Sequence, residues 1–381
     1  MFDTTTKRLV FYVFIFLAVL GGAFYADITY FKYLENVPTL YIVVGILVLA
    51  FLYTWLVVYL SVAKPISIVI KQLSCLLTGK PYKKIITTRK DEVGILAYFF
   101  NEIATTLEKL TVQAKENKRM SDELSLASKL QRDIMPKKAP VISGLSISAK
   151  ASLASEVGGD NFDFLVYPKN AFVYLGDVTG HGVPAALVMT MTHAFLESYT
   201  ASMEDPCKIL INLNEQLRKR ISSRMFMTLV MLRWDIEKKK MTYTGAGHEH
   251  VIVYHADAGQ CEAIKTGGIA IGMAPDNSKL LKEIELPLKE NDFVVLYSDG
   301  ITEAKNMNGE MFGLERLTKA VEKYAHQYSA DGLSYHIALD LKAFTGEDAI
   351  QADDMSLIAV QYVGDKKVEQ TEESLATEWK K

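Results

Sequence analysis

Two uncharged apolar runs, LVFYVFIFLAVLGGAFYA at residues 9–26 and LYIVVGILVLAFLYTWLVVYLSVA at residues 40–63, restrict this chain more than any other feature. A run of about 20 such residues crosses a bilayer core as a helix, because lipid offers the backbone no other partner. The first run alone would also suit a cleaved signal peptide. A second, longer run right behind it makes an anchored hairpin the expectation. Lys7 and Arg8 precede the first run, and Lys64 and Lys71 follow the second; the loop between sets Lys32 against Asp27 and Glu35. Both ends of the hairpin are therefore expected in the cytoplasm, with both termini and everything downstream on that side of the cell (inner) membrane. Tyr25, Tyr30, Tyr33 and Tyr41 flank the loop side, where interfacial aromatics belong.

The rest of the 381 residues carries a net charge of -3 and no basic run with interleaved aromatics, which excludes a general nucleic-acid binder. Cys75, Cys207 and Cys261 are far apart and read as small apolar residues. After the hairpin, Ile66, Ile70, Leu73 and Leu77 keep helical spacing, as do Val93, Leu96, Phe100, Ile103, Leu107 and Leu110 beyond a connector with Gly79 and Pro81. The proline past the membrane, DEVG and FFNEI resemble a HAMP domain over residues 61–113, which implies a dimeric four-helix bundle. The periodicity continues through a coiled-coil linker helix at 114–137, with a phase break before Met120, Leu124, Ala127, Gln131 and Ile134. Pro136 and Pro140 end it. The linker is expected to act as a dimeric switch by moving the helix that begins near Pro184.

Residues 138–363 alternate strands and helices, and a polar tail occupies 364–381. In NAFVYLGDVTGHGVPAALVM, Asp177 ends an apolar strand; Gly180 and Gly182 permit a tight turn, and Pro184 suits a first helical turn. In NDFVVLYSDGITE, Asp299 again ends a strand; in QADDMSLIAVQY, Asp353 and Asp354 precede one. An antiparallel pair sets one strand's end beside its neighbour's start, so Asp177, Asp299 and Asp353 can converge, and Asp160 in EVGGDNFDF can join them. Carboxylates sharing an apolar cleft repel one another and lose protons with difficulty. Oxygen ligands of this kind suit magnesium or manganese.

EVGGDNFDF, LGDVTGHGVPAALVM, GAGHEH, YSDGITEA and DDMSLIAV, in this order, resemble the metal-dependent protein phosphatases, in the branch of the stage II sporulation E phosphatases and stress-response regulators. The resemblance implies an α+β fold, an α-β-β-α sandwich with two Mn2+ or Mg2+ ions at one edge. It implies that Asp177 bridges the ions, that the Val178 carbonyl and Asp160 hold one, and that Asp299 and Asp353 hold the other. Asp354 is a lesser candidate ligand, Asp163 a partner of metal-bound water, and His181 a candidate proton donor. The substrate implied is a phosphoserine or phosphothreonine of a STAS-type anti-sigma-factor antagonist. Two departures from eukaryotic relatives stand out: no Arg lies between Pro136 and Asp160, and His181 comes four residues after Asp177 rather than two.

Blander readings compete with these. A single strand-end Asp is common in turns. His248 and His250 in GAGHEH are expected on opposite faces near a pocket rim rather than as zinc ligands, and His193 as a packed or surface helix residue. A catalytically silent scaffold of the same fold, or another HAMP-linked output such as a histidine kinase or cyclase, remain the alternatives.

Overall fold

The structure, a computed structural model, describes residues 4–31, 38–346, 349 and 351–364. The chain divides into two compact units, Met1–Met120 and Ser121–Lys381. Lys32, Tyr33 and Glu35 of the loop and the tail beyond Gly364 lie outside the described residues.

The first unit is helical: α1 (Thr5–Ala26), α2 (Thr39–Val58), α3 (Lys64–Leu77) and the first part of α4 (Glu92–Ile134). Two of its stretches, Thr5–Thr29 and Tyr41–Leu77, are long and apolar enough to cross a membrane. α1 and α2 pack together, with Phe16 stacked on Tyr53 at 4.2 Å between ring centroids. A π-helical turn, Tyr59–Ala63, joins α2 to α3 without a break at Pro65. A proline lacks the N–H that an earlier carbonyl would accept; here the Arg89 Nη2 donates to Ser61 O at 2.8 Å. Arg89 also grips Asp91 at 2.7 Å. Asp91 Oδ1 in turn accepts Gly94 N at 3.2 Å and so caps α4. The DEVG motif is thus a helix start held by a salt bridge.

Most of the apolar stripe is exposed within one chain: Ile70, Leu73, Leu77, Leu96, Ile103, Leu107 and Leu110 all face outward. Val93 and Phe100 of that stripe are buried, Phe100 in a small core with Val69, Ala97 and Ala104.

The second unit holds β1 (Leu145–Ser152), β2 (Asn161–Val166), β3 (Asn170–Val178), α5 (Val183–Thr200), α6 (Pro206–Arg218), β4 (Met227–Asp235), β5 (Lys240–Ala246), β6 (His250–His255), β7 (Gln260–Lys265), β8 (Glu283–Leu286), β9 (Phe293–Tyr297), α7 (Asp299–Thr302), α8 (Gly313–Ala325), α9 (Ala330–Thr345) and β10 (Met355–Tyr362). Two five-stranded sheets form, in the orders β1-β10-β9-β6-β7 and β2-β3-β4-β5-β8. Their inner faces meet over Phe162, Leu175, Leu232, Trp234, Val294 and Ile358. The outer face of the β3 sheet is covered by α5 and α6, and that of the β9 sheet by α8 and α9. This is the expected α-β-β-α sandwich. Trp234 shows why the interior is close-packed: its ring is 1% exposed, and its indole N–H donates to Ser143 O at 3.0 Å.

Candidate active site at the sheet edge

Strand register builds the site. Asn161 pairs with Gly176, which sets Asp160, one residue earlier, level with Asp177. Val173 and Leu175 point between the sheets, and alternation gives Asp177 the same face. In the other sheet Leu357 pairs with Tyr297. Asp353 and Asp354, ahead of β10, therefore fall beside Asp299, behind β9. The two sheets are tied at this edge by the Ser356 hydroxyl, which donates to Asp160 Oδ2 at 2.6 Å. Gly300 allows the close fit: a Cβ there would run into the Asp354 carbonyl oxygen.

The electrostatics are those of uncompensated anions. Burial pushes Asp160 up to about 7, with Asp354 and Asp299 adding repulsion against the Ser356 hydrogen bond. Burial pushes Asp177 up to about 8, and Asp160, Asp299, Asp353 and Asp354 all raise it further. Asp299 is pushed up to about 6 by burial and then by Asp353. The leading charges on all three are negative. Among the described residues, no three carboxylates, imidazoles or thiols close around a single point as a finished ion cage. The donor set itself, carboxylate oxygens with a backbone carbonyl nearby at Val178, fits hard divalent cations, which remove the repulsion among the acids.

Other residues fall elsewhere. Asp354 is 5% exposed, and its carboxylate accepts Ala154 N at 2.8 Å, Gly159 N at 2.7 Å and Asp160 N at 3.4 Å. It holds the loop that carries Asp160. Asp163 is not brought into the cluster. It is out of phase with Phe162 and Phe164 on β2, so it faces α5, with His193 Nδ1 at 3.4 Å. The expectation that Asp163 serves metal-bound water is corrected by that strand phase. His193 is packed there, its Nδ1 also 3.3 Å from the Tyr174 hydroxyl. His181 is an exposed turn residue, and no hydrogen bond ties it to the acids.

Three contributors have places that the sequence did not assign to them. Ser356 follows the DDM acids directly, and its hydroxyl chemistry was the available signal. Gln131 is 2% exposed, near the buried Ser128 in the last part of α4. Its amide donates to Gly158 O at 2.8 Å and accepts Gly158 N at 3.0 Å. The linker therefore touches the Asp160 loop, whereas the expected route was through the helix near Pro184. His248 is buried between the sheets rather than at a rim. Its Nδ1 lies 2.9 Å from the Thr228 hydroxyl and its Nε2 3.1 Å from Tyr297 O. Burial pushes it down to about 4, so it is a neutral staple between β4 and β9.

A family-wide profile, stage II sporulation protein E (SpoIIE), matches residues 168–363, more than half of the chain. The chain belongs to the SpoIIE family. The SpoIIE-type region is 29% identical over 207 residues to the phosphoserine phosphatase RsbU of Bacillus subtilis, covering 54% of this chain and 60% of that protein. Protein IcfG of Synechocystis is 25% identical over 300 residues, 71% of this chain and 46% of that one. The chain thus spans about half to three fifths of these curated relatives. Among solved structures, the SiaA-PP2C domain of Pseudomonas aeruginosa has the SpoIIE-type fold with a TM-score of 0.56 and 24% identity, over 65% of this chain and 99% of that domain.

Proposed function

We propose that this chain is a membrane-anchored, signal-regulated protein phosphatase that hydrolyses phosphoserine or phosphothreonine on a STAS-type regulatory protein. One observation carries the reading: Asp177 lies near enough to Asp160 from its own sheet and to Asp299 and Asp353 from the other edge for all three to push its carboxyl up. Two Mn2+ or Mg2+ ions bound there would supply an activated water and neutralise phosphoryl charge. Asp177, between the other acids, would serve both ions; Asp160 and the Val178 carbonyl would face one, and Asp299 and Asp353 the other. Asp354, with its oxygens occupied by amides, positions the loop. The relative named a phosphoserine phosphatase supports the substrate class.

The apolar helices supply the anchor, with the catalytic unit on the cytoplasmic side as the basic flanks of the hairpin require. The outward stripe on α3 and α4 supports a homodimer through a HAMP bundle (61–113) and linker (114–137), since large apolar residues repeated along one face call for a partner. The test is release of phosphate from p-nitrophenyl phosphate and from a phosphorylated STAS protein by the full-length protein in detergent. Dependence on added Mn2+ or Mg2+, and loss in Asp177→Ala, are expected. Metal-independent turnover, or full activity in Asp177→Ala, would overturn the reading.

A further inference from the structure

A cavity of about 300 Å³ opens beside Gly300 and Asp353, against the acid edge. Its lining includes the carbon of Ala304, Ala338, Leu341 and Met355. Lys305, just past α7, and Lys342, on α9, also line it, with Glu303 as the one further charged residue beside Asp353 among the described residues. Both are exposed, and neither has an ion pair among the described residues. Solvated lysines are ordinary on any surface. These two differ in sharing one apolar hollow that abuts the acids. The packing of α8 and α9 does not need them, since its core is made by Leu317, Val321, Leu333, Ile337 and Leu341.

We propose that this cavity is a substrate subsite. It takes an apolar side chain of the segment flanking the phosphorylated residue, and its lysines hold an acidic side chain of the same segment. The proposal rests on the phosphatase reading above and deepens it. The volume is at the low end of small-molecule sites, with room for one or two side chains and not for a folded domain. The charge argument is local. A phosphopeptide approaches an edge of four carboxylates, which repels any acidic residue it carries. Lys305 and Lys342 outnumber Glu303 in this hollow and offset that repulsion on one side only, so the flank that bears the acid is drawn to this side. A free phosphate is a poorer occupant, because Glu303 and Asp353 also line the hollow and the ammonium groups sit on solvated, mobile stems.

The test compares two synthetic phosphoserine peptides of equal length, one with Leu and Glu beside the phosphoserine and one with Gly and Lys. The full-length protein with Mn2+ hydrolyses each, and p-nitrophenyl phosphate serves as a reference. The readout is the ratio of kcat/KM for the two peptides on the same enzyme, so any general loss of activity cancels. The wild type is expected to favour the Leu/Glu peptide about tenfold, mainly through KM, the size of about two surface ion pairs with a buried apolar contact. In the double variant Lys305→Glu, Lys342→Glu the ratio falls to about one or inverts. In Ala338→Phe, which fills the hollow without changing charge, it falls as well. A wild-type ratio near one, or a ratio unchanged in both variants, overturns the subsite while turnover of p-nitrophenyl phosphate leaves the phosphatase reading standing. A wild type inert toward all three compounds overturns both.

Discussion

Aspartates drawn away from solvent in the two units are treated in opposite ways. Asp91, at the start of α4, has a side chain with no exposed surface. The hydrogen bond from Arg89 holds its carboxyl below the usual carboxylate range, against its own burial, with the Gly94 amide and the charge of Arg8 helping. Asp177 and Asp160, at the sheet edge, are pushed up to about 8 and about 7 by burial, and their leading neighbours are acids. The same functional group is thus satisfied internally in one unit and left in conflict in the other. At Asp91 the chain supplies the counter-charge from its own sequence. At the acid edge a divalent cation from solution would supply it.

Substituting the two acids tests that contrast most sharply. Asp177→Asn should lower metal-dependent turnover by about a thousandfold or more, yet raise the melting temperature of the metal-free protein, because a repelled charge is gone. Asp91→Asn should do the reverse to stability. It leaves two arginines facing a weaker partner at a cost on the order of 2–3 kcal/mol, read as faster amide exchange at the start of α4 in detergent. If both variants destabilise alike, the contrast fails. The pH dependence comes next. Between the unfolded value of 3.8 and the folded values of about 6, 7 and 8 for Asp299, Asp160 and Asp177, the folded protein keeps protons that the unfolded chain has released. The melting temperature without divalent ions should therefore fall as pH rises through that window, and level off above it. Saturating Mn2+ should flatten the slope; a slope of the same size with the metal present would refute the assignment. A smaller effect is expected for Gln131→Ala, which removes two buried hydrogen bonds to the Asp160 loop. Turnover should drop about tenfold, with a stability loss of about 1–2 kcal/mol. The smallest belongs to His181→Ala, whose kinetics should stay within about twofold of wild type, as for an exposed turn residue.

The acids were legible because their chemistry and the strand grammar point the same way. An apolar run ending in Asp, a glycine turn and a proline-started helix leave few other structures, and antiparallel pairing then forces Asp177 toward Asp160. Asp163 misled because strand phase is a local matter that a motif does not show: one residue's step turned it from the site to α5. His248 and Gln131 were harder. A lone imidazole or amide gives no periodic signal, and each acquires its place from partners distant in sequence, Tyr297 for the one and Gly158 for the other. The HAMP-like stripe was visible as periodicity, but a repeat does not say whether its partner is the same chain, and the face buried within one chain turned out to be the smaller Val69–Ala104 one.

β10, the last strand among the described residues, occupies the second place in its sheet, between β1 and β9. A nascent chain emerging from the ribosome therefore cannot finish that sheet in order of synthesis. Until residues 353–362 are out, β1 and β9 have an empty slot between them, and Asp299 has no opposing acid. The acid edge is therefore completed only when this last strand has paired, however early the helices before it have formed.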